Sequence, residues 1–249
     1  MSVLEVKGLR KAYGGIHALD DAGFVIDSPG LYGLIGPNGA GKTTLFDVVA
    51  GTVQADAGSV CFEGENITGW PSHRRALGGI SRSFQECRVL PEETCLDNVL
   101  FAAQPKGLGT CVRQLVSRSN AHRRRVTDEA MRLLSLVRLQ GHAHTPAAQL
   151  SFGQKRLLEL VSVFMSAPQL LLLDEPASGV NPALLEVLSD FIRTMYAEQA
   201  RAFLIVEHNM EFIMALASDI IVMHQGKVLE RGSPPIVQAS PRVLEAYLG

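Results

Sequence analysis

The chain has 249 residues, which is enough for one large domain or for a core that carries a subdomain. Its residues are 47% hydrophobic and 19% charged and its net charge is −2, a balance that argues against a nucleic-acid scaffold and against a disordered tail. The cysteines form no CxxC pair, which argues against zinc ligation and a compact disulfide framework and predicts reduced thiols; they are Cys61, Cys87, Cys95 and Cys111.

The N-terminal part of the chain predicts an antiparallel sheet. Residues 3–6 and 23–26 are β-branched and partly alternating, and the stretch ADAGSVCFEGENI places turn glycines around another strand. The first residues, MSVLEVKGLRK, alternate apolar and polar side chains and lack the apolar block of a signal peptide. We therefore expect the chain to stay in the cytoplasm.

Three later segments predict buried parallel strands. Each is a continuous apolar run that ends in polar residues, as central strands buried on both faces do; the segments are 30–36, 169–175 and 202–208. A helical pattern follows each of them, over residues 43–50, 182–198 and 210–217. Strand, loop and helix repeated in this way predict a right-handed α/β core with functional loops at the carboxyl ends of its strands.

Residues 91–150 are rich in arginine and in helix-favouring residues and contain no buried-strand run, which predicts a helical subdomain inserted in the core. The longest apolar run, residues 160–173, contains Pro168 and is shorter than the ~20 residues of a membrane-spanning helix. A hairpin that turns at Gln225 and a short helix that begins at Ser240 complete the predicted elements.

A phosphate-binding loop is predicted between the first buried strand and its helix. The sequence fits the pattern G-x-x-x-x-G-K-[ST], with the residues Gly36, Pro37, Asn38, Gly39, Ala40, Gly41, Lys42, Thr43 and Thr44. Glycines let the backbone turn its N–H groups toward one centre, and the start of a helix adds about half a positive charge. Lys42 is expected to reach the β and γ phosphates, and the Thr43 hydroxyl to take a position on Mg²⁺. The alternative is a glycine turn that caps an ordinary helix.

An acidic pair follows the second buried strand. Asp174 and Glu175 end the stretch LLLLDE, where two adjacent carboxylates can take different roles. Asp174 is expected to hold Mg²⁺, and Glu175 to orient or deprotonate a water in line with the γ phosphate. The alternative is that the pair is only the polar end of a strand.

The stretch LSFGQ opens a helix with an unusual glycine. Ser151 and Gln154 predict a capping box, which a well-capped core helix would explain. Gly153 remains unexplained, since glycine in a helix costs up to about 1 kcal/mol relative to alanine. Its position indicates close approach of an anionic group to the helix start.

Together these motifs resemble those of the ATP-binding subunits of ABC transporters, whose signature is usually LSGGQ and reads LSFGQ here. The resemblance covers nearly all 249 residues, since the family's marks occur in order: Tyr13, the phosphate loop, Gln85 in SRSFQE, the signature, LLLLDEP, SGVNP and His208 in VEHN. It implies an α/β P-loop NTPase core of the RecA-like kind, with an N-terminal antiparallel β subdomain, in residues 1–90 and 167–249. It also implies that residues 91–166 are the inserted helical subdomain and carry the signature.

The resemblance implies that two such subunits pair head to tail and bind ATP with Mg²⁺. ATP on one phosphate loop would be covered by Ser151, Gly153 and Gln154 of the opposite subunit. Binding would close the pair, and hydrolysis would reopen it.

Three side chains take their expected roles from the resemblance alone. Tyr13 would stack on adenine, Gln85 would link Mg²⁺ and water to the helical subdomain, and His208 would contact the γ phosphate. Without the family pattern, the simpler interpretations are a turn residue for Tyr13, a surface residue for Gln85 and a hydrogen-bonded strand end for His208.

Two positions depart from the pattern, because Phe152 replaces the first signature glycine and Asn181 stands where many relatives have Asp. The expected catalytic residues are Glu175, His208 and Gln85, and the expected metal-binding residues are Thr43, Gln85 and Asp174.

Longer stretches resemble the branched-chain amino-acid importer ATPases, and relatives that serve urea and short-chain amides are similar. The stretches are SRSFQECRVLPEETCLDNVLFA, LSFGQKRLLELV, LDEPASGVNP and IVEHNMEFIMALASDIIVMHQGKVLERGSP. This resemblance implies a second ATPase subunit, two integral-membrane permeases, an extracytoplasmic binding protein as an indirect partner, no nucleic acid, and a peripheral place on the cytoplasmic face of the inner membrane. Two alternatives stay open. One is a lipopolysaccharide-type export ATPase, and the other is a soluble ABC protein that moves nothing across a membrane.

Overall fold

The structure is a computed structural model that describes residues 2–83, 89–103 and 120–248. Gln85 lies outside the described residues, as do Cys87 and Cys111, while Cys61 and Cys95 carry free thiols. The chain divides into two compact units. The first comprises Met1–Arg82, Gln169–Pro176 and Met195–Gly249, and the second comprises Ser83–Pro168 and Ala177–Thr194.

An antiparallel sheet in the first unit confirms the prediction for the N-terminal part of the chain. Its strands lie in the order β2-β1-β4-β5 and are β1 (Leu4–Tyr13), β2 (Ile16–Ile26), β4 (Ala57–Phe62) and β5 (Glu65–Asn66). β1 and β2 are longer than predicted, because their pairing extends from Leu4 opposite Ile26 to Tyr13 opposite Ile16, with interruptions where the register shifts. Pairing satisfies backbone groups even where the side chains show no regular alternation.

A second sheet in the first unit is mainly parallel, with strand order β10-β9-β3-β8-β7-β6 and only β10 antiparallel to its neighbour. Its strands are β3 (Gly30–Ile35), β6 (Ile80–Arg82), β7 (Leu170–Asp174), β8 (Ala202–Val206), β9 (Asp219–His224) and β10 (Lys227–Gly232). β3, β7 and β8 are the three predicted apolar runs, and every residue in them is buried. β6 was not predicted, because its three residues are too few to show a period.

The helices follow the strands largely as predicted. They are α1 (Lys42–Ala50), α2 (Ser72–Leu77), α3 (Cys95–Ala102), α4 (Asn120–Leu136), α5 (Phe152–Met165), α6 (Pro182–Gln199), α7 (Met210–Leu216), α8 (Pro234–Ala239) and α9 (Pro241–Leu248), with short 3₁₀ turns at Gln140–His142 and Ala147–Gln149. Among the helices of the described residues, none combines the length and the apolar character that a bilayer span requires.

Apolar packing fixes the start of α1 in the first unit. Phe46 and Leu45 on α1 are fully buried, and they belong to one core cluster with side chains from both sheets, such as Leu4 and Leu34. Replacing a buried phenylalanine by alanine typically costs about 3–5 kcal/mol, so this contact strongly constrains the helix. The core therefore holds α1 in place, and with it the residues that directly precede the helix.

In the second unit, α5 packs against α3 and α4, and one aromatic pair joins it to α6. Leu157, Val161 and Phe164 on α5 are buried, as the helical period predicted. The rings of Phe164 and Phe191 meet edge to face, with centroids 5.1 Å apart and planes at 85°. This packing fixes the helix that begins with the signature.

Candidate functional site

Three parallel strands end at one level and so bring separate parts of the sequence to one edge of the sheet. Leu34 on β3 and Asp174 on β7 both pair with Val206 on β8. β8 lies between β3 and β7, so the two strands are separated by one strand. Loops that follow aligned parallel strands open on the same side. The register therefore places the phosphate loop and Glu175 beyond the same edge.

The phosphate loop begins α1 without a capping side chain. Gly41 is the N-cap residue, has a φ of 97°, and as a glycine has no side chain to cap the helix. A Cβ atom at Gly41 would lie 2.3 Å from the carbonyl oxygen of Ala18, so the position accepts glycine alone. The N-cap residue therefore leaves the first N–H groups of α1 without a capping side chain, which is the arrangement of anion-binding helix starts.

Lys42 is buried among the carbonyl groups of its own loop. Its ammonium donates to the oxygens of Gly36 at 2.7 Å and Pro37 at 2.9 Å, and the residue is 5% exposed. Burial lowers the pKa of Lys42, and the negative charge of Glu175 acts in the opposite direction. An anionic phosphate in the loop would favour the charged form of Lys42 further, because opposite charges stabilise each other most where water is excluded.

Glu175 has a left-handed backbone and a histidine partner. Its φ is 47°, a conformation that is uncommon outside glycine and that occurs often at functional sites. Its N–H donates to the carbonyl of Val206 at 2.9 Å, which ties the residue to the end of β8. Nε2 of His208 lies 3.0 Å from Oε1 of Glu175. The structure therefore brings together two of the three predicted catalytic side chains.

The loop that carries His208 is held by its neighbours. The carboxylate of Glu207, which is 3% exposed, accepts from the N–H groups of His208 at 3.0 Å and Asn209 at 3.2 Å. Asn209 then caps α7, because its side-chain oxygen accepts from the N–H of Phe212 at 3.0 Å. The capping of α7 and the carboxylate of Glu207 thus fix the backbone of His208 between β8 and α7.

Arg82 is a site residue that sequence reasoning missed. At the end of β6, its guanidinium donates to Oδ2 of Asp174 at 2.8 Å and to Oδ1 of Asp47 on α1. Burial disfavours the charge of Arg82, but the two carboxylates outweigh this effect and raise its pKa. The sequence offers one weak signal for Arg82: it is a charged residue that lies three positions before Gln85, a predicted site residue.

The oxygen donors of the site suit Mg²⁺. Asp174 supplies a carboxylate at the end of β7, and Thr43 supplies an exposed hydroxyl in the first turn of α1. Within the described ranges, no group of three or more His, Cys, Asp or Glu side chains could hold a metal ion. Mg²⁺ commonly takes one or two protein ligands and completes its shell with water and substrate phosphates, so two hard oxygen donors fit it.

Tyr13 ends β1, next to a glycine turn of the antiparallel sheet. Its side chain is 48% exposed, and the ammonium of Lys11 lies 5.5 Å from the ring centroid. An exposed ring with a cation beside it can serve as a stacking surface for a base. Tyr13 lies in the same compact unit as the phosphate loop.

The signature segment begins α5 with the predicted capping box. The side chain of Ser151 accepts from the N–H of Gln154 at 3.3 Å, and the side chain of Gln154 accepts from the N–H of Ser151 at 2.9 Å. A Cβ atom at Gly153 would lie 2.8 Å from Cδ1 of Leu184 on α6. Packing against Leu184 within the same chain therefore also favours glycine at this position, in addition to the predicted approach of an anion.

The two departures from the family pattern have plain structural roles. The ring of Phe152 is 52% exposed and lies where a Cβ atom at Gly179 would meet it at 2.7 Å. Asn181 accepts the N–H of Leu184 at 3.0 Å on its side-chain oxygen, so it caps α6 ahead of Pro182. Aspartate at this position would make the same capping bond.

The predicted site residues thus fall into two groups. The phosphate loop, Asp174, Glu175, His208 and Tyr13 belong to the first compact unit. The signature residues Ser151, Gly153 and Gln154 belong to the second unit.

Comparison with known proteins identifies the family of the chain. The family model described as ABC transporter matches residues 19–178. BraF of Pseudomonas aeruginosa, described as a high-affinity branched-chain amino acid transport ATP-binding protein, is 36% identical over 99% of this chain and 98% of its own length. LivG of Archaeoglobus fulgidus, described as a probable branched-chain amino acid transport ATP-binding protein, is 36% identical over 100% of this chain and 96% of its own length. A nucleotide-free ATP-binding cassette from an ABC transporter, known from a crystal structure, superposes with a TM-score of 0.83 at 28% identity and full coverage of both chains.

These matches extend over the whole chain and include the phosphate loop, the acidic pair and the signature. They confirm the predicted P-loop NTPase fold with its antiparallel β subdomain, and the prediction that the protein is an ATP-hydrolysing enzyme. The chain therefore belongs to the ABC transporter family.

Proposed function

We propose that the chain is the ATP-binding and ATP-hydrolysing subunit of an importer for branched-chain amino acids. The observation that carries the assignment of ATP hydrolysis is the contact between Glu175 and His208. These residues follow β7 and β8, whose ends are level with the end of β3, the strand that precedes the phosphate loop. The names of BraF and LivG support the cargo.

The chemistry assigned to the site is in-line attack of water on the γ phosphate. Lys42 binds the β and γ phosphates, and Tyr13 stacks on adenine. Glu175 orients the water and accepts its proton, while the bond from the γ phosphorus to the bridging oxygen breaks and leaves ADP and phosphate. His208 lies within contact of Glu175 and binds the γ phosphate. Mg²⁺, held by Thr43 and Asp174 with Gln85, would neutralise charge on the phosphates.

The second half of the site is assigned to a partner subunit. Ser151, Gly153 and Gln154 would cover ATP that is bound to the opposite phosphate loop, so that two nucleotides join a head-to-tail pair. The position of the signature at the start of α5, a place where helices attract anions, and the family membership support this arrangement. The division into a core of residues 1–90 and 167–249 and a helical subdomain of residues 91–166 belongs to the same proposal.

The proposed assembly contains a second ATPase subunit, two integral-membrane permeases and, indirectly, an extracytoplasmic binding protein. It places the chain at the cytoplasmic face of the inner membrane. A pull-down of the tagged chain from its native membrane in mild detergent, followed by mass spectrometry, is expected to recover two polytopic permeases and the second ATPase. The binding protein encoded with them should take leucine, isoleucine or valine in preference to urea or short-chain amides. Recovery with soluble proteins alone would overturn the transport assignment and leave the ATP chemistry intact.

Replacement of Tyr13 tests the adenine contact. Tyr13→Ala is expected to weaken ATP binding by about 5-fold to 100-fold, since base–aromatic stacking contributes roughly 1–3 kcal/mol per base. Tyr13→Trp should retain binding, because it keeps a ring. Displacement of a fluorescent ATP analogue measures the affinity. Ile16→Ala is the matched control, since Ile16 is 75% exposed in the same hairpin. Equal affinities of Tyr13→Ala and Ile16→Ala would remove Tyr13 from the site.

A further inference from the structure

Arg82 connects two carboxylates that belong to different parts of the site. Its Nη2 lies 2.8 Å from Oδ2 of Asp174, and its Nη1 contacts Oδ1 of Asp47. The side chain of Arg82 is 14% exposed, that of Asp174 is 4% exposed and that of Asp47 is 26% exposed. Charge pairs with so little solvent exposure are screened weakly, so their geometry and charge matter more than those of surface pairs.

The elements on which these residues lie give the contact its meaning. Arg82 pairs with Leu172 on β7, two residues before Asp174. Asp47 lies on α1, five residues after Lys42, and also accepts from the hydroxyl of Thr52 at 3.0 Å. One guanidinium therefore bonds both to the helix that follows the phosphate loop and to the strand end that carries the proposed metal ligand. A planar fork with several donors suits such a bridge, and a lysine ammonium does not.

We propose that Arg82 is a positioning residue of the metal site, which holds the carboxylate of Asp174 through Oδ2 and weakens its attraction for Mg²⁺. This inference rests on the proposed role of Asp174. A guanidinium on the ligand carboxylate competes with a metal cation for the same negative charge. Asp47 shares the guanidinium and so limits its hold on Asp174. The ion is then bound firmly only when the phosphates of ATP add their own charge, which makes the site respond to the Mg²⁺ complex of ATP.

Because Arg82 is shared between Asp47 and Asp174, substitutions at Arg82 and at Asp47 should change the metal affinity in opposite directions. Arg82→Met removes the competing cation at similar length, so the metal should bind about 3-fold to 10-fold more tightly. Asp47→Asn leaves the guanidinium with less competition for Asp174, so the metal should bind about 3-fold more weakly. A role in folding alone would not move the two variants in opposite directions.

Mn²⁺ is the probe, because the free ion is counted directly by electron paramagnetic resonance. Titrations use the full chain with the substitution Glu175→Gln, which prevents turnover, together with a saturating non-hydrolysable ATP analogue. Arg231→Met is the matched control, since it removes another guanidinium–carboxylate pair, that of Arg231 and Asp219 at 2.7 Å in the same unit, and should leave Mn²⁺ binding unchanged.

Opposite shifts in Arg82→Met and Asp47→Asn would support the proposal, and shifts in the same direction or no shift would overturn it. If Arg82→Met does not fold, Asp47→Asn decides alone, because its partly exposed side chain can be replaced without opening the core. Binding of a fluorescent ATP analogue without metal is measured on the same samples. If the parent chain binds no nucleotide, the proposed function fails; if it binds nucleotide without the Mn²⁺ shifts, only the role of Arg82 fails.

Discussion

Glu175→Gln is expected to reduce ATP hydrolysis by about 100-fold to 10,000-fold, which is the usual contribution of a general base, while ATP affinity stays within about 2-fold of the parent. Glutamine has the same shape as glutamate but cannot accept the proton from water. The left-handed backbone of Glu175 and its bond from N–H to the carbonyl of Val206 do not depend on the charge. Phosphate release under saturating ATP measures the rate, and displacement of a fluorescent ATP analogue measures the affinity.

The control for this change is Glu186→Gln, which removes an exposed carboxylate from α6. It should hydrolyse ATP at the parental rate. If Glu175→Gln were also as active as the parent, the proton would go to another group, and the proximity of Glu175 to His208 would need a different explanation.

Without the second ATPase subunit, the purified chain is expected to pair with itself. A 1:1 mixture of two inactive variants should then recover about a quarter of the parental ATPase activity, because random pairing of two-fold dimers gives one complete site in half of the dimers. One variant is Lys42→Ala, which removes the phosphate-binding ammonium. The other is Gly153→Asp, which places a negative charge at the start of α5, where a phosphate is expected. Each variant alone should lose about 100-fold or more in rate, a loss typical of groups that stabilise phosphate charge.

The contact of Gly153 with Leu184 determines how this experiment is built. Any side chain at Gly153 would meet Cδ1 of Leu184, and overpacking by itself costs about 1–3 kcal/mol. The aspartate is therefore introduced together with Leu184→Ala, which makes room for it. Leu184→Ala alone and the pair Gly153→Ala with Leu184→Ala serve as controls and should remain active.

Two results would count against a site that is completed by a partner. One is a mixture that is no more active than its components. The other is a parental activity that is proportional to protein concentration with full turnover, since a site that forms only on pairing predicts a steeper dependence. In both cases the chain would not complete its site by pairing with a second copy of itself.

The elements that could be predicted from the sequence are those encoded by residues close together in the chain. The three continuous apolar runs became β3, β7 and β8, and the S-x-x-Q spacing became the capping box of Ser151 and Gln154, because burial of a strand and capping of a helix depend on residues close in sequence. Contacts between distant residues could not be predicted. Arg82 meets Asp47 and Asp174 across 35 and 92 residues, and no local pattern encodes such pairs.

Gly153 illustrates the same limit from the other side. Its place in the first helical turn indicates an unusual requirement, which the approach of a ligand would explain. The structure adds Leu184, a side chain on another helix that occupies the space a Cβ atom would need. A sequence can thus reveal that a residue is constrained without revealing which neighbour constrains it.

The end of β8 contributes to the site through its main chain. Val206 lies level with Leu34 and Asp174 through backbone pairing, and its carbonyl accepts the N–H of Glu175. Its side chain is buried and takes no part in these bonds. During evolution, β8 can therefore exchange one apolar residue for another at little cost to activity. The insertion or deletion of a single residue in β8 would turn every following side chain to the opposite face and separate His208 from Glu175, so the length of this strand is under stronger selection than its composition.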